Sequence, residues 1–441
     1  MNADSHSIAK RKLQMGAFAA KVRTLLAAQR GRLESLSVLL FVRFITAGLG
    51  FVTTVKIANV LGRAGYGELA YALALGTYGA AIVQYGLNRT LVRDLIHDQD
   101  HFDVLVLASI ALRAVLFLVV VFGLVLWKAF GDPGGVLSGV LICIVIIKSF
   151  LPFELNSVYD AWHQFKRHAM YALVERCLYF ICIWIAVLFA PDMLGLAWIA
   201  GAMAVSTAFY MIVQYRWAFR KIVIHGNASL IPKTVLSLLR NNISIWIATV
   251  AALSFSSFNQ VVLRHLKGAQ ELGGYAVAWQ LVVVAEMLVL NISRIGNPAT
   301  ARITRPGTSA AARRRFMIKY IAVILLAAMP VCLPAVICPE LILRVLFRPE
   351  YLTAAPIMRV LGVYVILLSA GIAASQYVIS ARMDRTYLAS VVLGGALTVV
   401  LNLLLVPKIA GLGAALALIG GHWICMSIYG LAMIRDIVGH R

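Results

Sequence analysis

The sequence predicts an all-α polytopic membrane protein of about twelve transmembrane helices, set as two parallel six-helix bundles around a central cavity. Three observations predict it. Of the 441 residues, 61% are hydrophobic and 13% charged, where soluble domains run near half and a quarter. Mean hydropathy is +0.88. Apolar runs of the roughly 20 residues needed to cross a ~30 Å hydrocarbon core recur from residue 35 almost to the end.

The spans read as 37–60, 66–90, 103–128, 136–161, 169–190, 195–217, 242–265, 274–297, 318–339, 356–380, 388–407 and 411–434. Connections between them are short, so hardly any mass is expected outside the membrane. Residues 1–34 are basic and polar, without the apolar core and small-residue cleavage site of a signal peptide. Met15, Phe18, Val22 and Leu25 alternate there with basic residues at helical spacing. That segment reads either as a short amphipathic helix on anionic lipid or as a disordered basic tail.

Lys and Arg fall unequally on the two sides of the membrane. With the N-terminus inside, the basic N-terminal segment, the Arg220–Arg240 linker, the Arg302–Lys319 stretch and both Arg382 and Arg385 share one side. The other side receives Arg63, Lys267, Arg344, Arg348 and Lys408. The positive-inside rule then puts both termini in the cytoplasm of a multi-pass protein of the cell inner membrane. The same loops carry most of the +22 net charge, which gathers on no single folded face, so no nucleic-acid partner is expected. The six cysteines form no CxxC and have no histidine cluster beside them. Small membrane-core residues account for them better than disulfides or metal ligands. No phosphate loop, Ser/His/Asp set or metal-spaced ligands appear, so no cofactor and no catalytic residue is expected.

Residues 218–241 form the longest polar linker and divide the chain into a bundle over 35–217 and another over 242–434, with a short tail at 435–441. Within the linker, Val235–Arg240 is apolar and basic, fit to lie along the membrane interface. Landmarks repeat between the halves at nearly constant offset. Pro191 and Gly195-Leu196-Ala197 answer Pro407 and Gly411-Leu412-Gly413. Tyr159 through Lys166-Arg167 answers Tyr377 through Asp384-Arg385. Tyr66 and Tyr275 each open an even-numbered helix after a Gly-rich turn. Parallel repeats of this kind enclose a substrate site in transporters.

Ionisable residues deep in spans need a partner, water or a job. Lys148, Arg113 and Glu286 are near the middles of their spans; Arg43 is in the inner third of the first. Lys56 and Arg264 lie in outer thirds, and Glu154 and Asp160 follow an expected kink at Pro152. Arg176 reads as an anchor near a cytoplasmic end. Cations predominate among the deep residues, which suits an anionic substrate. Arg43, Lys56, Lys148 and Arg264 are the expected substrate contacts, and Glu154 and Glu286 the expected proton or ion carriers. Asn259, Gln260 and Gln280 suit either a cavity wall or interhelical hydrogen bonds. The tryptophans form no sugar-stacking cluster by spacing.

Several segments carry a family resemblance. Ile57 through Gly67 resembles the signature between the first two helices of Wzx-type polysaccharide flippases, in the multidrug/oligosaccharidyl-lipid/polysaccharide exporter superfamily. Tyr85 through Arg93 is similar to that family's Gly-Leu-Asn…Arg segment. Arg348-Pro349-Glu350-Tyr351 with Ala354-Ala355-Pro356 is similar to its approach to helix ten. Asn402 through Ala415 resembles its last interhelical turn. Asn59 stands where the family commonly has a basic residue, and Arg348 where glycine is usual. The resemblance implies transfer of an undecaprenyl-diphosphate-linked oligosaccharide, of the O-antigen or exopolysaccharide kind, to the periplasmic leaflet by alternating access with ion-gradient coupling. It also implies polymerase and chain-length proteins of the same pathway as partners. The alternatives are a multidrug or metabolite extruder of the same superfamily, a membrane glycosyltransferase or polysaccharide polymerase, and a membrane scaffold.

Overall fold

In a computed structural model, the described residues are 3–131, 139–190, 193–222, 229–305 and 307–439, with side chains from Phe41 onward other than Arg43, Arg89, Gly131, Arg294, Ile295 and Gly439. All regular structure among them is helical. Ten helices are long and apolar enough to cross a membrane. Two of these ten are double. Helix α1 (Ala3–Gln84) breaks at Gly62, whose φ of 69° and ψ of 175° no helix contains. Helix α14 (Asp384–Gly439) breaks at Ile409 and Ala410. Counting each limb gives the twelve expected crossings.

Between them lie α2 (Leu87–His97), α3 (Phe102–Leu126), α4 (Gly139–Phe150), α5 (Asn156–Ala161), α6 (Phe165–Phe189) and α7 (Leu196–Ala218). The second half continues with α8 (Leu230–Ala252), α9 (Phe258–Lys267), α10 (Ala269–Ile303), α11 (Ala310–Ile337), α12 (Pro339–Leu346) and α13 (Ala355–Ser380). Alternating passage puts the turns at Gly62, Gly268 and Ala410 and the α12 region on one face, called distal here. The ends of the described chain lie on the other, proximal face. Large apolar side chains are exposed around the bundle, among them Leu118, Phe122, Leu188, Leu326, Leu404 and Leu431. A surface of that kind suits lipid rather than water.

The kink expected at Pro152 is present. Helix α4 ends at Phe150, a 3-10 turn covers Leu151–Phe153, and Glu154 is extended before α5 resumes. Proline lacks the amide that would continue the ladder and clashes with the preceding turn.

Two boundaries differ from expectation. Helix α8 starts at Leu230 rather than Asn242 and takes in Val235–Arg240 as ordinary helix. Leu238 is buried there against Leu87, Ala108 and Leu112, so this segment packs on the first half instead of lying along the interface. The expected single seventh span is moreover two helices, interrupted at Leu253–Ser257. The backbone of residues 3–34 is the beginning of α1, but its side chains, and with them the expected amphipathic face, lie outside those described.

The turns at Gly62 and Gly268 have the same unusual conformation, Gly268 showing φ 85° and ψ 175°. Each starts the second helix of its half. Left-handed φ with extended ψ is open to glycine and strained for other residues. The local backbone therefore repeats where the sequence landmarks predicted a repeat.

Candidate functional site

Three groups of residues stand out: a closure between the halves, a cavity walled mainly by the first half, and a cavity within the second.

The closure is distal. The Arg63 guanidinium donates to Glu271 Oε2 at 3.0 Å, to the Gln270 carbonyl at 2.7 Å and to Thr353. Glu271 also accepts from the Gly411 amide at 3.2 Å. One arginine on α1 thus ties the α9–α10 turn to the chain before α13, while its carboxylate partner holds the break in α14. Alongside, Arg264 meets Glu68 through two contacts of 2.6 and 3.1 Å. Tyr71 and His265 are 3.0 Å apart, and Gln280 donates to the Tyr66 hydroxyl at 3.0 Å. Asn59 donates to the Leu346 carbonyl and accepts from the Arg348 amide. Apart from the Glu271–Gly411 contact, which lies within the second half, each of these contacts joins the first half to the second, and together they hold the distal face closed.

The first cavity, about 250 Å³, is walled mainly by the first half. Lys148 of α4 and Glu175 and Arg176 of α6 line it, with Tyr66, Thr54 and, from α10, Gln280. Gly76 on the second limb of α1 presses directly on the Lys148 stem, and the Arg176 guanidinium lies over Gly50 on the first limb. A side chain at either glycine would push the cation away. Among the described residues neither Lys148 nor Arg176 has an ion-pair partner within 4.0 Å. Glu154, Glu175 and Arg176 are the charged neighbours of Lys148 at longer range.

Glu154 sits just behind this cavity, at the break in the fourth span. Its carboxylate accepts from Asn156 and, at 3.3 Å, from the Tyr210 hydroxyl, which in turn lies 3.0 Å from His168. Arg113 is almost fully buried, donating to the Glu154 carbonyl at 3.4 Å and to Asn88 at 3.3 Å.

The second cavity, about 280 Å³, lies in the second half. Glu286 and Trp279 of α10, Tyr364 of α13 and His422 of α14 line it, with Phe255, Tyr387 and Tyr429. The His422 ring is 4.4 Å from Phe255 and 4.9 Å from Tyr364, centroid to centroid, and within hydrogen-bond reach of the Tyr364 hydroxyl at 3.3 Å. Trp279 stacks on Tyr364 at 6.2 Å.

The expected site residues are therefore dispersed. Lys148 lines the first cavity, Glu154 adjoins it, and Glu286 lines the second. Lys56 faces away toward α6, its ammonium 5.9 Å from the Trp184 ring. Arg264 belongs to the distal closure, and the Arg43 side chain lies outside those described. Arg176, expected as an end anchor, lines the cavity instead. Helix α6 begins at Phe165 rather than residue 169, which moves Arg176 deeper at about 1.5 Å per residue. Asn259 makes interhelical hydrogen bonds, donating to Tyr275 and accepting from Asn402. The Arg63–Glu271 pair and the aromatic cluster were not anticipated, because each forms only when distant segments meet.

Comparison with known proteins fits this architecture. The model of the polysaccharide biosynthesis protein family matches residues 33–304. The chain belongs to that family. It is 22% identical over 432 residues to the uncharacterized membrane protein MJ1068 of Methanocaldococcus jannaschii, covering 90% of this chain and 83% of the relative. The fold is similar to that of the lipid II flippase MurJ in an inward closed conformation, with a TM-score of 0.69, 12% identity, and coverage of 91% of this chain and 89% of MurJ. It is also similar to an inward-facing multidrug resistance MATE family transporter of the MOP superfamily, with a TM-score of 0.66, 13% identity, and coverage of 92% and 98%. An outward-facing MATE structure scores 0.59 at 14% identity, covering 92% of this chain and 96% of that one. The chain is a multi-pass membrane protein of the polysaccharide biosynthesis protein family, with a fold similar to those of the lipid II flippase and MATE transporter structures.

Proposed function

We propose that the chain moves an undecaprenyl-diphosphate-linked oligosaccharide from the cytoplasmic to the periplasmic leaflet of the inner membrane by alternating access. The observation that carries this reading is the first cavity, where Lys148 and Arg176 stand without a close counter-ion among the described residues. Cations held in a part-buried cavity attract a compact anion strongly, since low dielectric reduces screening. Arginine binds phosphate through a planar fork and lysine as a point charge, so the two together suit a diphosphate. Glu154 and Glu286 are the proposed carriers of a coupling proton; Glu154 communicates with His168 through Tyr210.

In this reading the distal face is periplasmic and both termini are cytoplasmic, as the Lys/Arg bias requires. The sealed distal face is then the inward-accessible stage of the cycle. The higher similarity to the inward-facing than to the outward-facing MATE structure supports that assignment.

The second cavity supports a different reading, an extruder of organic cations, because Glu286 lies there among aromatic rings. A chromosomal deletion separates the two. Lipid-linked oligosaccharide accumulating on the cytoplasmic face, probed with a membrane-impermeant reagent, supports the flippase. Normal translocation with new sensitivity to cationic drugs supports the extruder.

A further inference from the structure

We infer that the aromatic cavity of the second half is a subsite for an uncharged sugar of the lipid-linked substrate, and that it discriminates against acidic sugars. The inference rests on the flippase reading and deepens it.

Helix α10 forms the partition between the two cavities. Gln280 lines the first cavity, whereas its neighbour Trp279, with Glu286, lines the second. Consecutive helical residues point about 100° apart, while positions i and i+7 share a face. One helix therefore presents a different chemistry to each side: a polar amide toward Lys148 and Arg176, an indole and a carboxylate toward the aromatic wall. A substrate with two chemically distinct parts matches such a divided site.

The second cavity has the components of a sugar site. The Trp279 and Tyr364 rings are stacked 29° from parallel, offering flat apolar surface to the C–H face of a pyranose. Glu286 makes no hydrogen bond or ion pair among the described residues and borders the cavity. As an ionised carboxylate it can only accept hydrogen bonds, and sugar hydroxyls supply donors. His422 offers a further ring nitrogen, held by Tyr364 at 3.3 Å. At about 280 Å³ the space lies at the small end of ligand pockets, of a size for one ring rather than a chain.

The charge balance sets the specificity. Among the described residues no Lys or Arg lines this cavity. A uronate placed beside Glu286 would bring two carboxylates together in a poorly solvated space, which disfavours binding. The anionic part of the substrate belongs on the other side of α10.

The test uses the full chain in lipid nanodiscs and three soluble probes: farnesyl diphosphate, farnesyl-diphosphate-linked N-acetylglucosamine, and farnesyl-diphosphate-linked galacturonic acid. Affinities are measured for the wild type, Lys148→Ala, Trp279→Leu and Glu286→Gln, with thermal unfolding as a check on folding. N-acetylglucosamine should bind ~10-fold or more tightly than bare farnesyl diphosphate, as hydrogen bonds to a charged group allow. That increment should vanish in Trp279→Leu and shrink in Glu286→Gln. Lys148→Ala should weaken both probes by the same factor. The galacturonate probe should bind no better than farnesyl diphosphate to the wild type, and Glu286→Gln should improve it. Equal wild-type binding of the two sugars, or an increment indifferent to Trp279 and Glu286, overturns the subsite while a Lys148-dependent diphosphate affinity leaves the flippase reading standing. Failure of all three probes to bind the folded wild type overturns both.

Discussion

Gly67 and Gly273 occupy equivalent places in the two halves, and each lies against a carbonyl oxygen offered by the other's turn. A Cβ at Gly67 would overlap the Ala269 carbonyl, and one at Gly273 would overlap that of Arg63. Each glycine stands at the same remove from the left-handed glycine that starts its helix, Gly62 or Gly268. The same holds for each carbonyl donor residue. The reciprocal contact is a pseudo-twofold crossing of two helix starts, and it closes the distal face. It needs glycine because only a bare Cα permits backbones to approach so closely.

Gly67→Ala and Gly273→Ala should therefore impede distal closure while leaving each half folded. The check is a cysteine placed at Leu272, which is fully buried in the closure, in a background without the native cysteines. Impermeant maleimide applied to the distal face should label it much faster in the alanine variants. Labelling as slow as in the unsubstituted background would show that the crossing yields without opening.

The Arg63–Glu271 pair should be cooperative with that crossing. Both side chains are mostly shielded, at 10% and 28% exposure, and Arg63 holds three further partners, Gln270, Glu350 and Thr353. Single alanine substitutions should each destabilise the closed state, and a double-mutant cycle read by the same labelling should return a coupling of about 1–3 kcal/mol. A coupling near zero would mean that the two residues act independently.

Substitution of Lys148 by alanine should reduce translocation severalfold without lowering the amount of protein in the membrane. Arg176→Ala should do likewise, and Gly76→Ala should mimic Lys148→Ala because the added methyl meets the lysine stem. Transport assays normalised to membrane-inserted protein decide this; unchanged transport in Lys148→Ala removes the cavity from the substrate path.

Arg113 has a different expected signature. It is 1% exposed and bonded to Asn88 and to the backbone at the fourth-span break. Arg113→Ala should lower the unfolding temperature and the yield of folded protein, since it strands buried partners and leaves a void. A variant of normal stability that fails to transport would instead assign Arg113 a direct part in transport.

The legible and illegible parts of this molecule divide along physical lines. Span number, the Pro152 kink and the repeat at Gly62 and Gly268 were readable because each depends on local composition or local backbone chemistry. The start of α8 was not, since Val235–Arg240 is amphipathic enough for an interface and only packing of Leu238 against α2 and α3 settles its place. The depth of a charge in a span also proved a poor guide to where it points. Arg264 and Lys148 both lie well within spans, yet one pairs with Glu68 across the closure while the other faces a cavity. Choosing between those outcomes requires knowing which helix lies opposite, and helical period along one chain does not contain that information.

Transfer of a lipid-linked diphosphate sugar between leaflets can be followed by reconstituting the purified protein in liposomes with a fluorescent polyprenyl-diphosphate saccharide and bleaching the label with an impermeant reductant. The protein should accelerate loss of the inner-leaflet signal, an imposed ion gradient should change the rate, and Lys148→Ala should remove most of the acceleration. Bleaching that stops at the outer-leaflet fraction with and without the protein, under every gradient applied, would contradict that transfer.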